Sequence, residues 1–169
     1  RIFSYNSKKK IPVYADYKTG KYLKKSFAYC FKNAPGYKAI LKLNKLKNNL
    51  LFKKKGKSLS IKSIEVKHGN IKAQSFIINK SCAYISDANK IYKNDLVHFK
   101  NLKHLVIDCL RINYHPSHFN LTDVLNLEKV LKPKKTILTN LHSNLDYKYL
   151  SKILPKNIVP AYDGMSFNI

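Results

Sequence analysis

The alternation of apolar and polar residues predicts a chain whose first half is rich in strands. Between Ala39 and Lys67, lysines alternate with apolar residues, which is the period of half-buried antiparallel strands. Gly56 lies where this pattern is interrupted and is suited to a hairpin turn. Two further apolar runs, residues 73–79 ("AQSFIIN") and 82–86 ("CAYIS"), predict two more strands joined by a tight turn.

In the second half of the chain, predicted strands and helices alternate. Apolar runs at His104–Leu110 and Thr136–Thr139 predict strands. The residues Leu121–Leu131 have helical spacing, Asn120 is suited to cap their first turn, and Pro133 ends the run that follows. This order, with no repeat and no linker, predicts a single α/β domain over residues 1–169.

The remaining elements are shorter. The sequence predicts a strand at Ile11–Asp16, a helix at Thr19–Phe31 that is broken at Asn33–Tyr37, a short helix at Asn94–Phe99, a helix at residues 146–154 and terminal strands at residues 158–162 and 165–169.

The composition is that of a globular intracellular protein. The chain has 169 residues, of which 44% are hydrophobic, and no apolar run approaches the roughly 20 residues that span a bilayer. The first residues lack the order of a signal peptide and contain no initiator Met, so we expect a cytoplasmic chain that begins inside a longer product. The three cysteines have no CxxC spacing and apolar neighbours, which indicates buried free thiols in a reducing compartment.

The net charge of +24 at pH 7 raises the question of a nucleic-acid partner, because a basic surface attracts polyanions. Arg1 and Arg111 are the only arginines, whereas phosphate and base contacts favour the planar guanidinium group. The excess of Lys, Asn and Ile is typical of codon bias in an AT-rich genome. A basic, non-enzymatic module that binds RNA or another polyanion through the lysine-rich strands is the alternative function.

Several candidate site residues directly follow predicted strands. His68 follows "SIEVK", Asp87 follows "CAYIS", His115 and His118 follow "LVIDCL", and His142 follows "TILT". Rigid strands often deliver functional side chains into loops. Imidazole and carboxylate groups are suitable ligands for Zn, Mn or Fe.

Each of these residues also has a structural interpretation. His68 and His142 are common residue types in turns and exposed loops, Asp87 can cap the following turn through its side chain, and His115 can bond to the backbone beside Pro116. Spacing alone therefore leaves the choice open. The two histidines without any partner pattern are His98 and His104.

Eight short segments extend from near the first residue to near residue 166. In chain order they are "IPVYAD", "FAYCF", "VKHG", "AYISDAN", "LVIDCLR", "HPSHFNL", "ILTNLHSNLDY" and "PAYDGM". Together they resemble the metallo-β-lactamase-fold hydrolases, on the branch that contains ribonuclease Z and the cyclic-phosphate phosphodiesterases.

The resemblance implies an αββα sandwich that binds two divalent metal ions (Zn, Mn or Fe) and hydrolyses a small-molecule or nucleotide phosphodiester. His68 and His142 match metal ligands of the family, and Asp87 matches the aspartate that bridges both metals. His118 lies near the histidine that acts as proton donor, and His115 is its neighbour in the catalytic loop. Nucleic-acid substrates and a homodimer are compatible with this family, and relatives also cleave thioesters and lactams.

The sequence departs from the family pattern at two places. The motif His-x-His-x-Asp-His is absent, so the resemblance identifies the chain as the C-terminal two-thirds of the fold, without its N-terminal part. It also predicts that this chain alone is poor in metal and inactive. The alternative is a degenerate, non-catalytic member of the family. Many ribonuclease Z sequences carry the late ligand directly after the Thr, where this chain has Asn140. We predict His142 as the ligand, because imidazole binds metals better than an amide.

Overall fold

Residues 1–47 and 48–169 form separate units in the computed structural model, which describes all 169 residues. The first unit contains α1 (Ile2–Ser7), β1 (Ile11–Ala15), α2 (Tyr17–Ser26), α3 (Ala28–Phe31) and β2 (Leu41–Lys45). The second contains β3 (Asn49–Lys54), β4 (Lys57–His68), β5 (Ile71–Ile78), β6 (Cys82–Ile85), β7 (Lys90–Ile91), the 3₁₀ helix (Lys93–Phe99), β8 (His104–Asp108), α4 (Leu121–Leu131), β9 (Lys135–Thr139), α5 (Tyr147–Ile153) and β10 (Ile158–Pro160).

In the first unit, β1 and β2 pair in parallel, with Ile11 opposite Leu41. The alternating pattern from Ala39 predicted antiparallel pairing, and this is wrong for β2, because α2 and α3 form the crossover that returns β2 beside β1. The predicted helix is present, but it is divided at Phe27, whose backbone leaves the helical region. Asp16 caps α2 by accepting a hydrogen bond of 3.1 Å from the backbone N–H of Thr19.

The second unit is built on an eight-stranded sheet with the order β10-β9-β8-β6-β5-β4-β3, and β7 pairs with β4. The strands from β3 to β6 are antiparallel, as the alternating pattern predicted for β3 and β4, and the strands from β6 to β10 are parallel. In the parallel part, all five residues of β8 and the three central residues of β9 are buried, as expected for strands covered on both faces. The carboxyl ends of β6, β8 and β9 therefore reach the same edge of the sheet.

The core of this unit lies on the face that carries α4 and α5. Val124 and Leu131 of α4 and Leu150 of α5 pack against Ile85 and Leu105 of the sheet, and all five are fully buried. A smaller cluster on the other face contains Cys82, Val106 and Ile137. None of the helices combines the length and the apolar composition of a membrane-spanning segment.

The start of α4 is determined by a local hydrogen-bond pair. The Asn120 side chain accepts a hydrogen bond of 2.9 Å from the backbone N–H of Asp123, and the Asp123 carboxylate accepts one of 3.2 Å from the backbone N–H of Asn120. This capping box confirms the predicted helix start. It also holds the end of the loop that carries His118.

The prediction of a terminal strand at residues 165–169 is wrong. Residues 165–169 form no strand, and the aromatic ring of Phe167 instead packs against the imidazole of His104, with centroids 4.6 Å apart. His104 is 7% exposed, and its Nδ1 has no hydrogen-bond partner. Burial and the positive charges of Lys103 and Lys135 lower the pKa of His104 below its usual value of 6.5.

This environment predicts a pH dependence of stability. The unfolded chain binds a proton at His104 near its ordinary pKa, whereas the folded chain binds it only at lower pH. The free energy of unfolding therefore decreases as the pH falls below about 6.5. Thermal melts between about pH 7.5 and pH 5.5 measure this, and a His104→Gln variant will lose less stability over that range. An equal loss in both proteins would contradict the prediction.

The three thiols differ in accessibility, and none forms a disulfide. Cys82 and Cys109 are buried; burial raises the pKa of Cys82, and burial together with nearby carboxylates raises the pKa of Cys109 to about 12. Thiolate is the reactive form, so a thiol reagent at about pH 8 will modify only Cys30 in the native protein. A Cys30→Ser variant will then react only after denaturation; rapid modification of this variant in its native state would contradict the assignment.

Candidate metal centre

Three predicted site residues come together at the edge of the sheet. His68, Asp87 and His118 each offer one potential ligand atom, and these atoms all lie within 4.8 Å of one another. His68 is the last residue of β4, Asp87 follows β6, and His118 lies in the loop between β8 and α4. Strand ends thus assemble a group whose members are far apart in sequence.

The orientation of His68 is determined by the loop that carries His118. The Nδ1 atom of His68 lies 2.7 Å from the carbonyl oxygen of Ser117. A carbonyl oxygen only accepts hydrogen bonds, so Nδ1 carries the proton and Nε2 presents its lone pair. The ring of His68 also packs edge to face on that of His118, with centroids 4.6 Å apart.

His118 is held by a buried carboxylate. Its Nδ1 lies 2.6 Å from Oδ2 of Asp108, whose side chain is completely buried. This bond places the proton on Nδ1 when the ring is neutral and stabilises the imidazolium when the ring is charged. Nε2 of His118 can therefore bind a metal ion when the ring is neutral and can donate a proton to a substrate when the ring is charged.

Asp108 receives hydrogen bonds from two further segments. The backbone N–H of Ala88 donates to Oδ2 at 3.1 Å, and Nδ2 of Asn140 donates to Oδ1 at 3.2 Å. Burial raises the pKa of Asp108, and the bonds from Ala88, His118 and Asn140 oppose this shift. Asn140 adopts a left-handed backbone conformation with φ of 60°, which asparagine tolerates better than most residues.

Asp87 differs from Asp108 in that its carboxylate has no protein partner. It is exposed, and no hydrogen bond or ion pair holds it. The structure therefore does not support the alternative in which Asp87 caps the following turn. Its oxygens are available to an external cation beside the two imidazole rings.

Asn89 connects the two loops that carry the histidines. Its Oδ1 accepts a hydrogen bond of 3.0 Å from the backbone N–H of Gly69, and its Nδ2 donates one of 2.9 Å to the carbonyl oxygen of Pro116. Gly69 has φ of +58°, and a Cβ atom there would lie 2.9 Å from Cβ of Ser117. Only glycine permits this close approach, which allows His68 to reach the carbonyl oxygen of Ser117.

His115 lies beside the group rather than within it. Its ring centroid is 5.0 Å from that of His118, and its Nδ1 accepts a hydrogen bond of 3.3 Å from the backbone N–H of Ser117. Burial, Arg111 and His118 lower the pKa of His115, which favours the neutral ring.

His142 does not belong to the three-residue group. Its side chain is exposed, and its Nδ1 accepts a hydrogen bond of 3.3 Å from the backbone N–H of Asn144. The neighbouring Asn140 contacts Asp108 instead. The role of His142 as a metal ligand stays a prediction.

Sequence reasoning missed the part of Asp108 in this site. The sequence "IDCLR" is compatible with a buried pair of Asp108 and Arg111. In the structure, Arg111 instead donates a hydrogen bond of 2.9 Å to the carbonyl oxygen of Tyr114, and Asp108 binds His118. The sequence signal for this role is the carboxylate at the end of the apolar run "HLVID". A carboxylate is rarely buried without a partner, so its position predicts a hydrogen-bonding or charged neighbour in the fold.

The predicted family is consistent with comparisons to known proteins. A family model described as a beta-lactamase superfamily domain matches residues 3–140, whereas no curated protein sequence matches the chain. Among solved structures, a diphosphatase from the PhnP family is 25% identical with a TM-score of 0.81, and the match covers 95% of this chain and 59% of that protein.

Two more distant structures share the fold. The metallo-beta-lactamase fold protein YhfI from Bacillus subtilis is 14% identical with a TM-score of 0.72, and the match covers 96% of this chain and 66% of that protein. The short form of human tRNase Z is 13% identical with a TM-score of 0.64, and the match covers 96% of this chain and 69% of that protein. Because the family model matches well over half of the chain, the protein belongs to the beta-lactamase superfamily and has the metallo-β-lactamase fold.

Proposed function

We propose that the complete protein is a metal-dependent phosphodiesterase in which His118 donates a proton to the leaving group. The observation that carries this proposal is the position of His118, which is bound to the buried Asp108 and lies beside His68 and Asp87. His68 and Asp87 are the proposed metal ligands, together with His142 as predicted from the resemblance.

The chemistry of these side chains fits a divalent cation. Nδ1 of His68 is occupied by a carbonyl oxygen, so its Nε2 is presented as a ligand, and the carboxylate of Asp87 has no competing partner. A mixed set of nitrogen and oxygen donors suits Zn, Mn or Fe. The complete protein is proposed to bind two such ions, of which this chain supplies part of the ligands.

A bound divalent ion supplies Lewis acidity, which makes hydroxide available at neutral pH. In the proposed reaction a hydroxide oxygen forms a bond to phosphorus, and the bond from phosphorus to the leaving oxygen breaks. His118 transfers its proton to that oxygen, so that the leaving group departs as an alcohol rather than as an alkoxide. Asp108 stabilises the imidazolium before the transfer, and the neutral ring then regains a proton from water.

The location of His118 suits a substrate with a negative charge. It lies two residues before Asn120, the N-cap of the eleven-residue α4. The positive end of the helix dipole favours an anion and disfavours the imidazolium form of His118. The negative charge of the substrate phosphate offsets this unfavourable effect of the dipole. The neighbouring His115, which is favoured in its neutral form, is proposed to orient His118 or to contact the substrate.

The PhnP-family diphosphatase supports a substrate that contains phosphate, and we propose a small-molecule or nucleotide phosphodiester. We further propose a cytoplasmic location, because all three thiols are free and two are buried. The alternative role for His118 is a third ligand of one cation, since its available nitrogen lies within reach of the same ion as His68 and Asp87.

The two roles of His118 predict different results for a His118→Ala variant of the full-length product. A proton donor typically contributes 10²–10⁴-fold, so turnover of bis(p-nitrophenyl) phosphate will fall by about that factor while the metal content stays unchanged. Elemental analysis measures the metal. The exposed Asn94 provides the control, and Asn94→Ala will leave both quantities unchanged. A parallel loss of metal and activity in His118→Ala would show that His118 is a ligand.

The loop connection through Asn89 generates a second prediction. An Asn89→Ala variant loses the bonds to Gly69 and Pro116, so His68 is less well oriented, and metal affinity will fall about 10–100-fold. Competition with a fluorescent zinc chelator measures this affinity without any activity assay. Asn94→Ala, at an exposed position of the 3₁₀ helix, is the matched control. Unchanged zinc affinity in Asn89→Ala would remove Asn89 from this role.

A further inference from the structure

A second candidate site lies on the sheet of the same unit, away from the metal centre. A cavity of about 570 Å³ is bounded by β3, β4, the end of β5 and the 3₁₀ helix. Its apolar lining, here called the floor, includes Leu51, Ile77 and Leu102, and its basic residues form the rim. The rim residues are Lys62, Lys80, His98 and Lys100. We call this cavity the basic groove.

The basic groove has no acidic counterpart. None of the rim lysines is neutralised by a carboxylate, since the ion pairs join Lys72 to Glu65 and His118 to Asp108. Nζ of Lys62 even lies 3.1 Å from Nε2 of His98, which brings two basic groups into contact. An anion in the groove would neutralise the rim lysines, which the protein itself leaves without a counter-ion.

The basic surface continues along the hairpin of β3 and β4. Leu51 pairs with Ser60 at the groove, and three residues further along the strand Lys54 pairs with Lys57 at the tip. Like charges directly opposite each other destabilise an antiparallel pair. The exposed hairpin nevertheless carries lysines at positions 53, 54, 55 and 57. These lysines continue the charged surface of the groove to the tip of the hairpin.

Protection of the sheet edge explains only part of this arrangement. Lysines on an edge strand such as β3 prevent pairing with other chains, and this accounts for Lys53. Lys62, Lys80 and Lys100 are not on the edge strand. They come from β4, the turn after β5 and the end of the 3₁₀ helix, and they converge on one cavity.

We propose that the basic groove and the adjoining hairpin bind single-stranded nucleic acid. Its phosphates would contact the lysines of the rim and hairpin, while one base would lie on the apolar floor beside the His98 ring. Proteins that bind single strands combine such a charged path with surfaces for the bases. A duplex fits less well, because its bases are stacked and cannot enter the cavity. Lys62 is six residues from His68 on β4, about 20 Å at about 3.3 Å per residue, so the groove is distinct from the metal centre.

The proposal is tested with the full chain in EDTA, which makes binding independent of metal and catalysis. The probe is a fluorescein-labelled, single-stranded RNA of about 20 nucleotides, and fluorescence anisotropy measures Kd as a function of salt. A variant with Lys62→Gln, Lys80→Gln and Lys100→Gln will bind at least about 10-fold more weakly. Its salt dependence, the slope of log K against log[salt], will be smaller by about 2, since each phosphate contact contributes about 0.7.

The matched control removes the same charge from another exposed surface, with Lys148→Gln, Lys152→Gln and Lys156→Gln. It will bind nearly as tightly as the unmodified chain. An equal loss in both variants would show attraction by net charge alone and would overturn the proposal, as would tighter binding of a duplex of the same length. Both variants should melt at the same temperature as the unmodified chain, because none of the lysines replaced forms an ion pair.

The apolar floor is tested without a change in charge. Leu51 is 60% exposed, so its replacement by Ser leaves the core intact. Leu51→Ser will weaken binding of the single strand several-fold and leave the salt dependence unchanged, because the variant loses a contact with a base and none with a phosphate. Unchanged affinity would overturn the assignment of a base to the floor.

Discussion

The site depends on a single buried carboxylate. Asp108 is completely excluded from solvent, so its oxygens must be satisfied by hydrogen bonds inside the protein. The donors come from three separate segments: Ala88 follows β6, His118 follows β8 and Asn140 follows β9. One side chain thereby connects three loops at one edge of the sheet. This connection places the imidazole of His118 beside His68, and the loss of any one donor would leave a buried polar group with fewer partners.

The backbone around this carboxylate brings two loops into close contact. Gly69 allows the turn after β4 to approach Ser117 without a side chain between them, and Asn89 bonds to both sides of this contact. His68 then reaches the carbonyl oxygen of Ser117. Hydrogen bonds from the side chains of Asn89 and His68 to backbone groups thus hold the loops together, while the strands below them are fixed by the apolar core. Such an arrangement orients two imidazole rings before any ligand is bound.

The proposed catalytic chemistry and the overall charge belong to different parts of the surface. The metal-centre group consists of two half-buried histidines and one exposed aspartate, and a buried carboxylate orients one of the rings. Four lysines cluster on the hairpin of β3 and β4, and three more line the basic groove. In the two proposals, the lysines of the groove and hairpin contact a nucleic acid, and the metal-centre residues take part in hydrolysis. This division separates the proposed binding of a single strand from the proposed hydrolysis.

The sequence by itself determined the elements whose signals are local. The hairpin at Gly56, the capped start of α4 at Asn120 and the strand-end positions of His68, Asp87 and His118 follow from residue period, capping and turn chemistry, which act over a few residues. Only the tertiary structure decided the pairing of β1 with β2, the strand-free end of the chain and the partner of Asp108. These depend on contacts between residues distant in sequence, and a buried carboxylate can bind whichever donor the packed loops bring to it.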